Sequence, residues 1–550
     1  MKKSKARGFI PQSEWNKVNW RKLEMTVFKL QKRIYQASKR GNVPVVRKLQ
    51  KTLMKSWSAK MLAVRKVTQE NKGKRTAGID GRKALTNKQR LNLVDTLKIH
   101  RKPKPTRRVW IDKPGRNEKR PLGIPTIYDR ALQALTKQAL EPEWEAKFEP
   151  NSYGFRPGRS CHDAIEAIFN CIGKKPKWVL DADIAKCFDK INHEALLKKL
   201  NTYPTLRKLI KSWLKAGVMD KGTFSPTNEG TPQGGIISPL LANIALHGME
   251  ECIKEYANNM KGTKEKNRKA LSLIRYADDF VIIHKDQKVV EECLEVIGKW
   301  LNEMELELKP SKTKITHTYE GFNFLGFQVK QHKVGKNQSK QGFKTIIKPS
   351  NEKVTEHYEK LARIVETHKA APQASLINKL KSQIKGWCNY YSSVCSKETY
   401  SDLDNMLWNK LRRWGNRRHP KKSHEWVKNK YWGTINGDNW VFKDKEVILP
   451  KHAKTPIVRH IKVKETRSPY DGDLIYWGNR MGKHPEMSCT RGRLFTRQKG
   501  ICPQCKLKFK PNDQLEVHHI IPRTKGGSNK PDNLELLHLH CHDRKHSHKL

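Results

Sequence analysis

Two short acidic segments carry the clearest chemistry in this sequence of 550 residues. Asp278 and Asp279 lie in LIRYADDFVIIH, between branched aliphatic runs that predict the two strands of a buried hairpin. A second apolar run, WVLDADI, contains Asp181 and Asp183, which face the same side of a strand. Unpaired carboxylates inside an apolar hairpin are costly or become protonated, so we expect a compensating cation. A solvent-exposed acidic turn is the alternative.

The two segments together can hold two divalent cations. Asp183 and the carbonyl of Ile184, at the end of a strand, offer oxygen ligands to a hard ion such as Mg²⁺, and Asp278 and Asp279 add two carboxylates. Two such ions about 4 Å apart would activate a primer 3′-hydroxyl and stabilise the departing pyrophosphate. The pattern therefore predicts a nucleic-acid polymerase in which the protein mainly positions its substrates.

Cysteine and histidine concentrate at the C-terminus. GICPQC and LHLHCH present Cys502, Cys505, His538 and Cys541, a CxxC…HxxC set that suits tetrahedral, structural Zn²⁺. Free cysteines are the alternative, but the paired spacing favours zinc. His540 could replace His538, so the fourth ligand stays open at this point.

The charge of the chain indicates a polyanionic partner. Lys and Arg number 112 against 54 Asp and Glu, a formal net charge of +58, and a compact protein that carries this charge unneutralised would repel itself. The basic residues run along the whole sequence and alternate with Trp, Tyr and Phe, which favours nucleic acid over a membrane surface. A basic surface that serves only solubility does not account for a charge of this size.

Cysteine spacing and hydropathy bear on the compartment. The 11 cysteines are irregularly spaced, so no disulfide framework is predicted and a reducing compartment is expected. The first residues, MKKSKARGFIPQSEW, are basic but lack the apolar core of a signal peptide, and no stretch reaches the length of a spanning helix. We expect no membrane partner and a bacterial cytoplasmic protein, or an organellar one if the gene lies in an organelle.

Hydrophobic periodicity divides the chain into helical and α/β parts. Residues 18–70 have a helical pattern that breaks at GNVP, which predicts two basic helices. From 100 to 330, short branched runs alternate with amphipathic stretches, which is an α/β pattern. Residues 350–415 are helical throughout, 420–485 are rich in Lys, Trp and Tyr, and a last unit begins near 490.

Seven blocks follow one another in the order found in one polymerase family. They are RPLGIPTIYDR, NSYGFRPGRSCHDAI, DADIAKCFDKI, EGTPQGGIISPLLANIAL, RYADDF, LKPSKTKI and NFLGF. With these blocks the sequence resembles the reverse transcriptases, specifically the group II intron-encoded proteins that combine reverse transcriptase and maturase activities. The resemblance covers nearly the whole chain and implies a right-hand polymerase with fingers, palm and α-helical thumb.

The resemblance implies roles for the acidic segments and for two cations. Asp183, Asp278 and Asp279 would bind the catalytic metals, and NFLGF would grip the primer. On the fingers, Lys113 and Arg120 match residues that contact the incoming triphosphate, one as a point charge and the other as a planar donor fork. Taken alone, each cation would more often be a solvated surface group.

Other residues match the family's nucleotide pocket. Phe188 stands where the family has a bulky side chain that would clash with a ribose 2′-hydroxyl, although a core phenylalanine is the alternative. Gln233 would lie beside the nucleotide sugar, and Gly234-Gly235 would let the backbone approach the nucleotide, unless they form an ordinary tight turn. Lys312 could donate a proton to pyrophosphate.

The segment after residue 350 matches the thumb, called domain X in this family, which carries maturase function. The match rests on two segments, IKGWCNYYSSV and LRRWGNRRHPKKSHEWVKNKYW. Their Lys and Arg can neutralise phosphates, and their aromatic rings can stack on bases or pack the thumb core. Packing is the expected role for any single ring among Trp387, Tyr390, Tyr391, Trp414 and Trp432.

The last segment, LEVHHIIPRTKGGSNKPDNLELLHLHCHDRKH, resembles an HNH nuclease, a strand hairpin and helix around one divalent ion. His542 and His546 are one helical turn apart and can face that ion together with His518 from the strand. His519 would then be free as the general base, with Asn533 orienting it. Zinc binding by all of these histidines is the alternative.

The resemblance implies a multifunctional protein. It would bind its intron RNA and promote splicing, nick a target DNA strand with the HNH domain, and copy the inserted RNA from dNTPs at that 3′ end. The alternatives are a reverse transcriptase adopted for another role such as defence, and an RNA-binding splicing factor with an inactive polymerase. The implied units are 1–100 (basic helical extension), 101–335 (fingers and palm), 336–435 (thumb), 436–489 (basic DNA-binding segment) and 490–550 (HNH and zinc).

Overall fold

The computed structural model of the chain describes residues 15–99, 102–112, 119–445, 447–511 and 513–547. No helix within these ranges is long and apolar enough to cross a membrane.

The N-terminal part is helical. Its elements are α1 (Trp20–Lys39), α2 (Val43–Lys55), α3 (Trp57–Arg65), a π-helical turn (Lys66–Glu70) and α4 (Asn87–Thr96). The prediction of two helices before residue 70 is therefore wrong in number. Ser56 is extended and its side chain accepts a hydrogen bond from the N–H of Ala59, so a new helix begins where the apolar pattern runs on unbroken.

The following part alternates helices and strands, as predicted. Its elements are β1 (Thr106–Asp112), β2 (Lys119–Ile124), α5 (Ile127–Glu145), α6 (Cys161–Ile172), β3 (Trp178–Asp183), α7 (Cys187–Lys190), α8 (His193–Leu200), α9 (Pro204–Leu214), β4 (Val218–Asp220), β5 (Thr223–Ser225), α10 (Ser238–Ala245), α11 (Met249–Asn258), α12 (Lys264–Ala270), β6 (Ser272–Tyr276), β7 (Asp279–His284), α13 (Gln287–Asn302), β8 (Lys314–His317), β9 (Phe322–Phe324), β10 (Phe327–Lys333) and β11 (Phe343–Pro349).

One antiparallel sheet, in the order β6-β7-β3-β8, carries the acidic segments. Successive residues of β7 enter two different apolar cores: Phe280 and Ile282 pack with the N-terminal helices and α5, whereas Val281 and Ile283 pack with α6 and the helices that follow residue 350. Because both faces are buried, the strand reads as a continuous apolar run. There are two further sheets in this part, β2-β1-β4-β5, whose last two strands lie between β3 and β6 in sequence, and β11-β10-β9, which follows β8.

The part after β11 is helical and then mixed, which confirms the helical pattern predicted for residues 350–415. It contains α14 (Asn351–Thr367), α15 (Gln373–Tyr391), α16 (Lys397–Arg418), α17 (His424–Tyr431), β12 (Trp432–Ile435), β13 (Asp438–Asp444), β14 (Val447–Ile448) and α18 (Leu474–Gly482). The strands form a small sheet in the order β12-β13-β14.

The C-terminal part has a small core of its own and contacts the N-terminal helices. It consists of α19 (Cys489–Arg497), the antiparallel pair β15 (Leu515–His519) and β16 (Leu534–His538), and α20 (Leu539–Ser547). Lys510 lies 3.4 Å from Glu24 of α1, and His540 lies 3.6 Å from Glu70. The C-terminal part is thus joined to the N-terminal helices by the Lys510–Glu24 ion pair and by the contact of His540 with Glu70.

Candidate active sites

The acidic segments meet at one end of the β6-β7-β3-β8 sheet. Asp183 is the last residue of β3 and pairs in register with Asp279, the first residue of β7. Asp278 lies in the tight turn before it, and its carbonyl accepts the N–H of Ile184 at 3.3 Å. The antiparallel register therefore brings Asp183 to the same edge as Asp278 and Asp279, which lie almost 100 positions later in the sequence.

The electrostatics of this edge favour a bound cation. Burial, and then the charges of Asp278 and Asp183, raise the pKa of Asp279 to about 7. Burial also raises the pKa of Asp278, and it raises the pKa of Asp181 to about 7. These carboxyl groups resist ionising together, so a positive charge at the edge would stabilise all of them.

A lysine supplies part of that positive charge. The Nζ of Lys312 lies 2.6 Å from Oδ2 of Asp183, and the charge of Arg120 acts to lower the pKa of Asp278. Some sets of three or more His, Cys, Asp or Glu side chains among the described residues have all their possible ligand atoms within 4.8 Å of one another. These carboxylates do not form such a set. The carboxylates thus converge on one edge without forming a closed cage.

The turn that holds Asp278 has buried support that the sequence analysis missed. The guanidinium of Arg275, 1 % exposed, donates to the carbonyl of Ala277 at 3.0 Å and to the hydroxyl of Ser152 at 2.8 Å. Ala277 has a left-handed φ of 60°. Gly154 packs against it so closely that a Cβ would meet the Ala277 nitrogen at 2.3 Å. A buried arginine inside an apolar strand was the available signal.

Two residues predicted for the nucleotide pocket, Phe188 and Gln233, make defined side-chain contacts. The ring of Phe188 meets that of Phe155 edge-on, with 6.0 Å between centroids. Gln233 donates from Nε2 to both carboxylate oxygens of Asp189 at 3.0 Å. Arg120 is exposed on β2, whereas Lys113 lies outside the described residues.

The predicted aromatic residues of the helical part are mostly core. Tyr391, Trp414 and Trp432 are buried, and Trp387 and Tyr390 pack against the same core. Two other rings are exposed with cations over them, Trp440 under Lys428 at 4.1 Å and Trp426 under Lys430 at 4.7 Å, whereas Trp408, with Arg412 over it at 5.2 Å, is partly buried against the core. Trp426 and Trp440 thus present exposed aromatic faces beside cations.

The C-terminal Cys and His residues form the predicted four-residue cluster. Cys502, Cys505, His538 and Cys541 have their ligand atoms within 4.8 Å of one another. Nδ1 of His538 faces Cys505 Sγ at 3.3 Å, and its Nε2 faces Asp513 at 3.2 Å. A carboxylate behind a histidine is a common support for a zinc ligand, so the cluster is compatible with zinc.

His540, the alternative fourth ligand, lies outside this cluster. Its Nδ1 points to Glu70 at 3.6 Å, and its ring stacks on that of His538 with 5.2 Å between centroids. The structure therefore brings His538, and not His540, to the three cysteines.

A second cluster joins His518 from β15 to His542 and His546 from α20, with ligand atoms within 4.8 Å of one another. Nδ1 of His518 is buried and has no hydrogen-bond partner among the described residues. Burial lowers the pKa of His518 and of His542 below the ordinary value, so both rings are neutral near pH 7. Neutral imidazoles with a free buried nitrogen fit a metal ion.

His519 and Asn533 are placed differently from the prediction. Nε2 of His519 lies 2.9 Å from Oδ1 of Asn529, which the sequence analysis missed. Asn533 instead bonds to both the N–H and the carbonyl of Ile521 and to the carbonyl of Ser528. In this structure Asn533 therefore fixes the loop after β15, and Asn529 contacts His519.

Comparison with protein families matches four ranges of the chain. Residues 15–97 match the N-terminal domain of reverse transcriptase, and residues 111–329 match reverse transcriptase (RNA-dependent DNA polymerase). Residues 354–432 match the group II intron maturase-specific domain, and residues 502–548 match the HNH endonuclease family. The chain is thus an RNA-directed DNA polymerase and an HNH endonuclease.

Individual relatives point the same way. Protein YkfC of Escherichia coli K12 is 34% identical over 51% of this chain and 82% of its own length. The group II intron-encoded protein LtrA of Lactococcus lactis is 26% identical over 87% of this chain and 92% of its own length. Maturase-like protein 1 of Euglena gracilis is 28% identical over 71% of this chain and 78% of its own length. The chain therefore belongs to the group II intron-encoded reverse transcriptase-maturases that carry an HNH endonuclease domain.

Proposed function

We propose that the chain is built as a right hand with appended parts. The β6-β7-β3-β8 sheet would be the palm, the strands β1 and β2 would belong to the fingers, and α14–α17 would be the thumb. The corresponding units are 1–100 (helical extension), 101–335 (fingers and palm), 336–435 (thumb), 436–489 (DNA-binding segment) and 490–550 (ββα-metal HNH domain with zinc).

The palm would polymerise dNTPs on an RNA template. Asp183, Asp278 and Asp279, with the carbonyl of Ile184, would hold Mg²⁺, which when bound supplies charge to stabilise the primer 3′-oxygen and the departing pyrophosphate. The observation that carries this proposal is the pairing of Asp183 with Asp279 in register beside the Asp278 turn. Raised carboxyl pKa values at this edge agree with a site that needs a cation.

The remaining pocket residues would position the nucleotide. Lys113 and Arg120 would contact its triphosphate, Lys312 would neutralise charge beside Asp183, and Phe188 would exclude a ribose 2′-hydroxyl. Gln233 would lie beside the sugar, held by its two bonds to Asp189.

The thumb would bind intron RNA and promote its splicing. On its surface Lys430 lies over the exposed ring of Trp426, and Lys428 of α17 lies over the exposed ring of Trp440 on β13, in the segment that follows. Arginine and lysine can neutralise phosphates while the rings stack on unpaired bases, which is how single-stranded RNA is commonly bound. The family match to the maturase-specific domain covers these helices.

The C-terminal domain would nick the target DNA whose 3′ end then primes synthesis. His518, His542 and His546 fit a divalent cation, which when bound supplies Lewis-acid stabilisation of the scissile phosphate. His519 would accept a proton from the attacking water, with Asn529 against its other side and Asn533 fixing the loop. Cys502, Cys505, His538 and Cys541 would bind structural zinc.

The decisive experiment separates polymerisation from RNA binding. Replacing Asp278 and Asp279 with Asn keeps their size and removes their charge, so primer extension on an RNA template should fall to background while intron splicing persists. Asp286→Asn is the matched control, because Asp286 caps α13 near the same hairpin and Asn caps helices equally well. Normal extension by the double variant would contradict the polymerase site.

A further inference from the structure

A third cluster of ligand side chains lies between the catalytic sheet and the segment that leads to the nuclease. Cys161 and His162 begin α6, and Glu486 lies in the turn between α18 and α19. Their ligand atoms lie within 4.8 Å of one another. Cys161 and His162 are 7 % and 1 % exposed, whereas Glu486 reaches solvent. The three residues thus connect two parts of the chain that are more than 300 positions apart.

The histidine is oriented as a ligand. Nε2 of His162 lies 2.7 Å from the carbonyl oxygen of Tyr390, so Nε2 carries the proton and donates it. Nδ1 then bears the lone pair, and it faces Sγ of Cys161 at 3.6 Å. A metal-binding histidine typically donates its other N–H to a carbonyl or carboxylate in this way.

The separation of sulfur and nitrogen fits a shared ion. With bonds of about 2.3 Å to sulfur and 2.0 Å to nitrogen, two ligands of a tetrahedral zinc lie about 3.5 Å apart, close to the observed 3.6 Å. A thiol hydrogen bond to imidazole would have a similar length, but it would give no reason for a carboxylate to converge on the same point. Glu486 is therefore the residue that distinguishes an ion site from a hydrogen bond.

The nearby groups are either neutral or already paired. Burial lowers the pKa of His162 to about 4, so its ring is neutral near pH 7. Asp163, the next residue, bonds to the N–H of Val463 and to the side chains of His460 and Arg480. Asp163 is thus already paired and is not available as a further ligand.

We propose that Cys161, His162 and Glu486 bind a zinc ion that fastens the segment before the nuclease domain to the polymerase domain. A thiolate, an imidazole and a carboxylate form a borderline donor set that suits Zn²⁺ and does not suit Mg²⁺. The exposure of Glu486 leaves a fourth position to solvent. The site is distinct from the cluster at Cys502 and from the three histidines of the HNH domain.

The ion would lie close to the catalytic turn. Burial, followed by the charges of Cys161 and Glu486, raises the pKa of Tyr276 to about 12, which places the cluster within electrostatic range of that phenol. Tyr276 is the last residue of β6, immediately before Ala277 and Asp278. The hydroxyl of Tyr390, whose carbonyl receives His162, donates to the carbonyl of Leu325 in NFLGF. The site therefore adjoins both the acidic turn and the segment expected to grip the primer.

The test measures zinc by elemental analysis in the purified full-length chain and in single variants. Cys161→Ser and Glu486→Gln should each retain about one zinc ion fewer per chain than the unaltered protein. Cys171→Ser is the matched control, because Cys171 lies on the same helix outside the cluster and should leave the zinc content unchanged. Equal zinc in all four proteins would overturn the proposal.

A spectroscopic measurement keeps the proposal testable if Cys161→Ser fails to fold. The full-length chain with Cys502, Cys505 and Cys541 all changed to Ser loses the thiolates of the C-terminal cluster. After Co²⁺ is added, this chain should still show a thiolate-to-cobalt charge-transfer band, which Glu486→Gln in the same background should weaken or shift. Absence of the band, or a band that Glu486→Gln leaves unchanged, would overturn the proposed ligand set.

Discussion

The ammonium of Lys312 lies 2.6 Å from a carboxylate oxygen of Asp183, on the edge where the carboxyl groups converge. The same loop is attached to the strand through its backbone, because the N–H of Lys309 donates to the carbonyl of Asp183 at 2.8 Å. Lys312 thus holds a positive charge where we propose that Mg²⁺ binds. Since its side chain is 40 % exposed, the ion pair is weak, about 0.2–1 kcal/mol.

Lys312→Gln should lower the Mg²⁺ concentration that the polymerase needs and should lower its rate at saturating Mg²⁺. Without the ammonium, Asp183 binds the cation without competition, so the half-saturating Mg²⁺ concentration should fall by about 1.5- to 5-fold. The maximal rate should fall because a cation beside the pyrophosphate is lost. Primer extension over a Mg²⁺ titration measures both, with Lys309→Gln as the control on the same loop. An unchanged Mg²⁺ dependence would argue against competition at Asp183.

Gly154→Ala should disable polymerisation by displacing the catalytic turn. The added Cβ would lie 2.3 Å from the nitrogen of Ala277, so either the turn before Asp278 or the turn that contains Gly154 must shift. Overpacking of this kind costs about 1–3 kcal/mol, and the displacement falls on the residue beside Asp278. We expect loss of primer extension with a modest decrease in melting temperature. Gly335→Ala, with open space around its Cβ, should change neither.

The acidic edge was predictable because its signal is local. Acidic residues interrupt apolar strands at Asp183 and Asp278, and the register of β3 and β7 then brings them together. The four-residue spacing of His542 and His546 is local in the same sense. By contrast, Gly154 meets Ala277 and Arg275 meets Ser152 only in the folded chain, and no spacing in the sequence indicates either contact.

The helical spacing of residues on α16 could have separated core rings from more exposed rings in the sequence. On α16 the buried residues Leu407, Leu411 and Trp414 recur at helical spacing, so they mark the core face. Trp408 is one position off that face and carries Arg412 over its ring. Reading helix faces in place of aromatic content would have separated core rings from surface rings. Asp513 and Asn529 had no such signal, because loops brought them to His538 and His519.

Phe188→Ala should admit ribonucleotides more readily. The substitution removes the ring that would oppose a 2′-hydroxyl, and the edge-on contact with Phe155 cannot replace it. Discrimination between dNTP and rNTP, measured as the ratio of kcat/KM values, should fall by about tenfold or more, equivalent to at least 1.4 kcal/mol. Phe224→Ala removes an exposed ring elsewhere and should leave the ratio unchanged. An unchanged ratio in Phe188→Ala would make that ring a core residue only.

The thumb should lose stability in mild acid through His357. Its ring is buried, stacks on Trp387 and contacts His452, and burial with that neighbour lowers its pKa from 6.5 to about 3. Between these values the unfolded chain binds the proton and the folded chain does not, so stability is complete above pH 6.5 and decreases as the pH falls. At pH 5 the loss should be about 2 kcal/mol.

Thermal unfolding at pH 7 and pH 5 checks this expectation. His357→Phe keeps the stacking on Trp387 and removes the titration, so its melting temperature should fall less between the two pH values. His332→Gln removes an exposed histidine and should behave as the unaltered protein. If the melting temperatures of His357→Phe and of the unaltered protein fall equally between pH 7 and pH 5, other groups cause the loss of stability in acid.

The two C-terminal clusters should fail in different ways when they are altered. His519→Ala removes the proposed proton acceptor, which lies outside both ligand sets, so the variant should retain zinc and a folded domain while DNA nicking is lost. Cys502→Ser removes a fully buried residue of the proposed zinc site, so the chain after about residue 490 should become sensitive to protease and nicking should be lost as a consequence.

Both variants should extend a supplied primer, because Asp183, Asp278 and Asp279 lie in another domain. Zinc content, limited proteolysis, nicking and primer extension measured on the same preparations distinguish the two failures. Asn529→Ala offers an intermediate case: it frees Nε2 of His519 from its partner, so nicking should slow while zinc and folding are retained. Nicking that survives His519→Ala, or zinc that is lost with it, would require the histidines to be reassigned among the metal ligands.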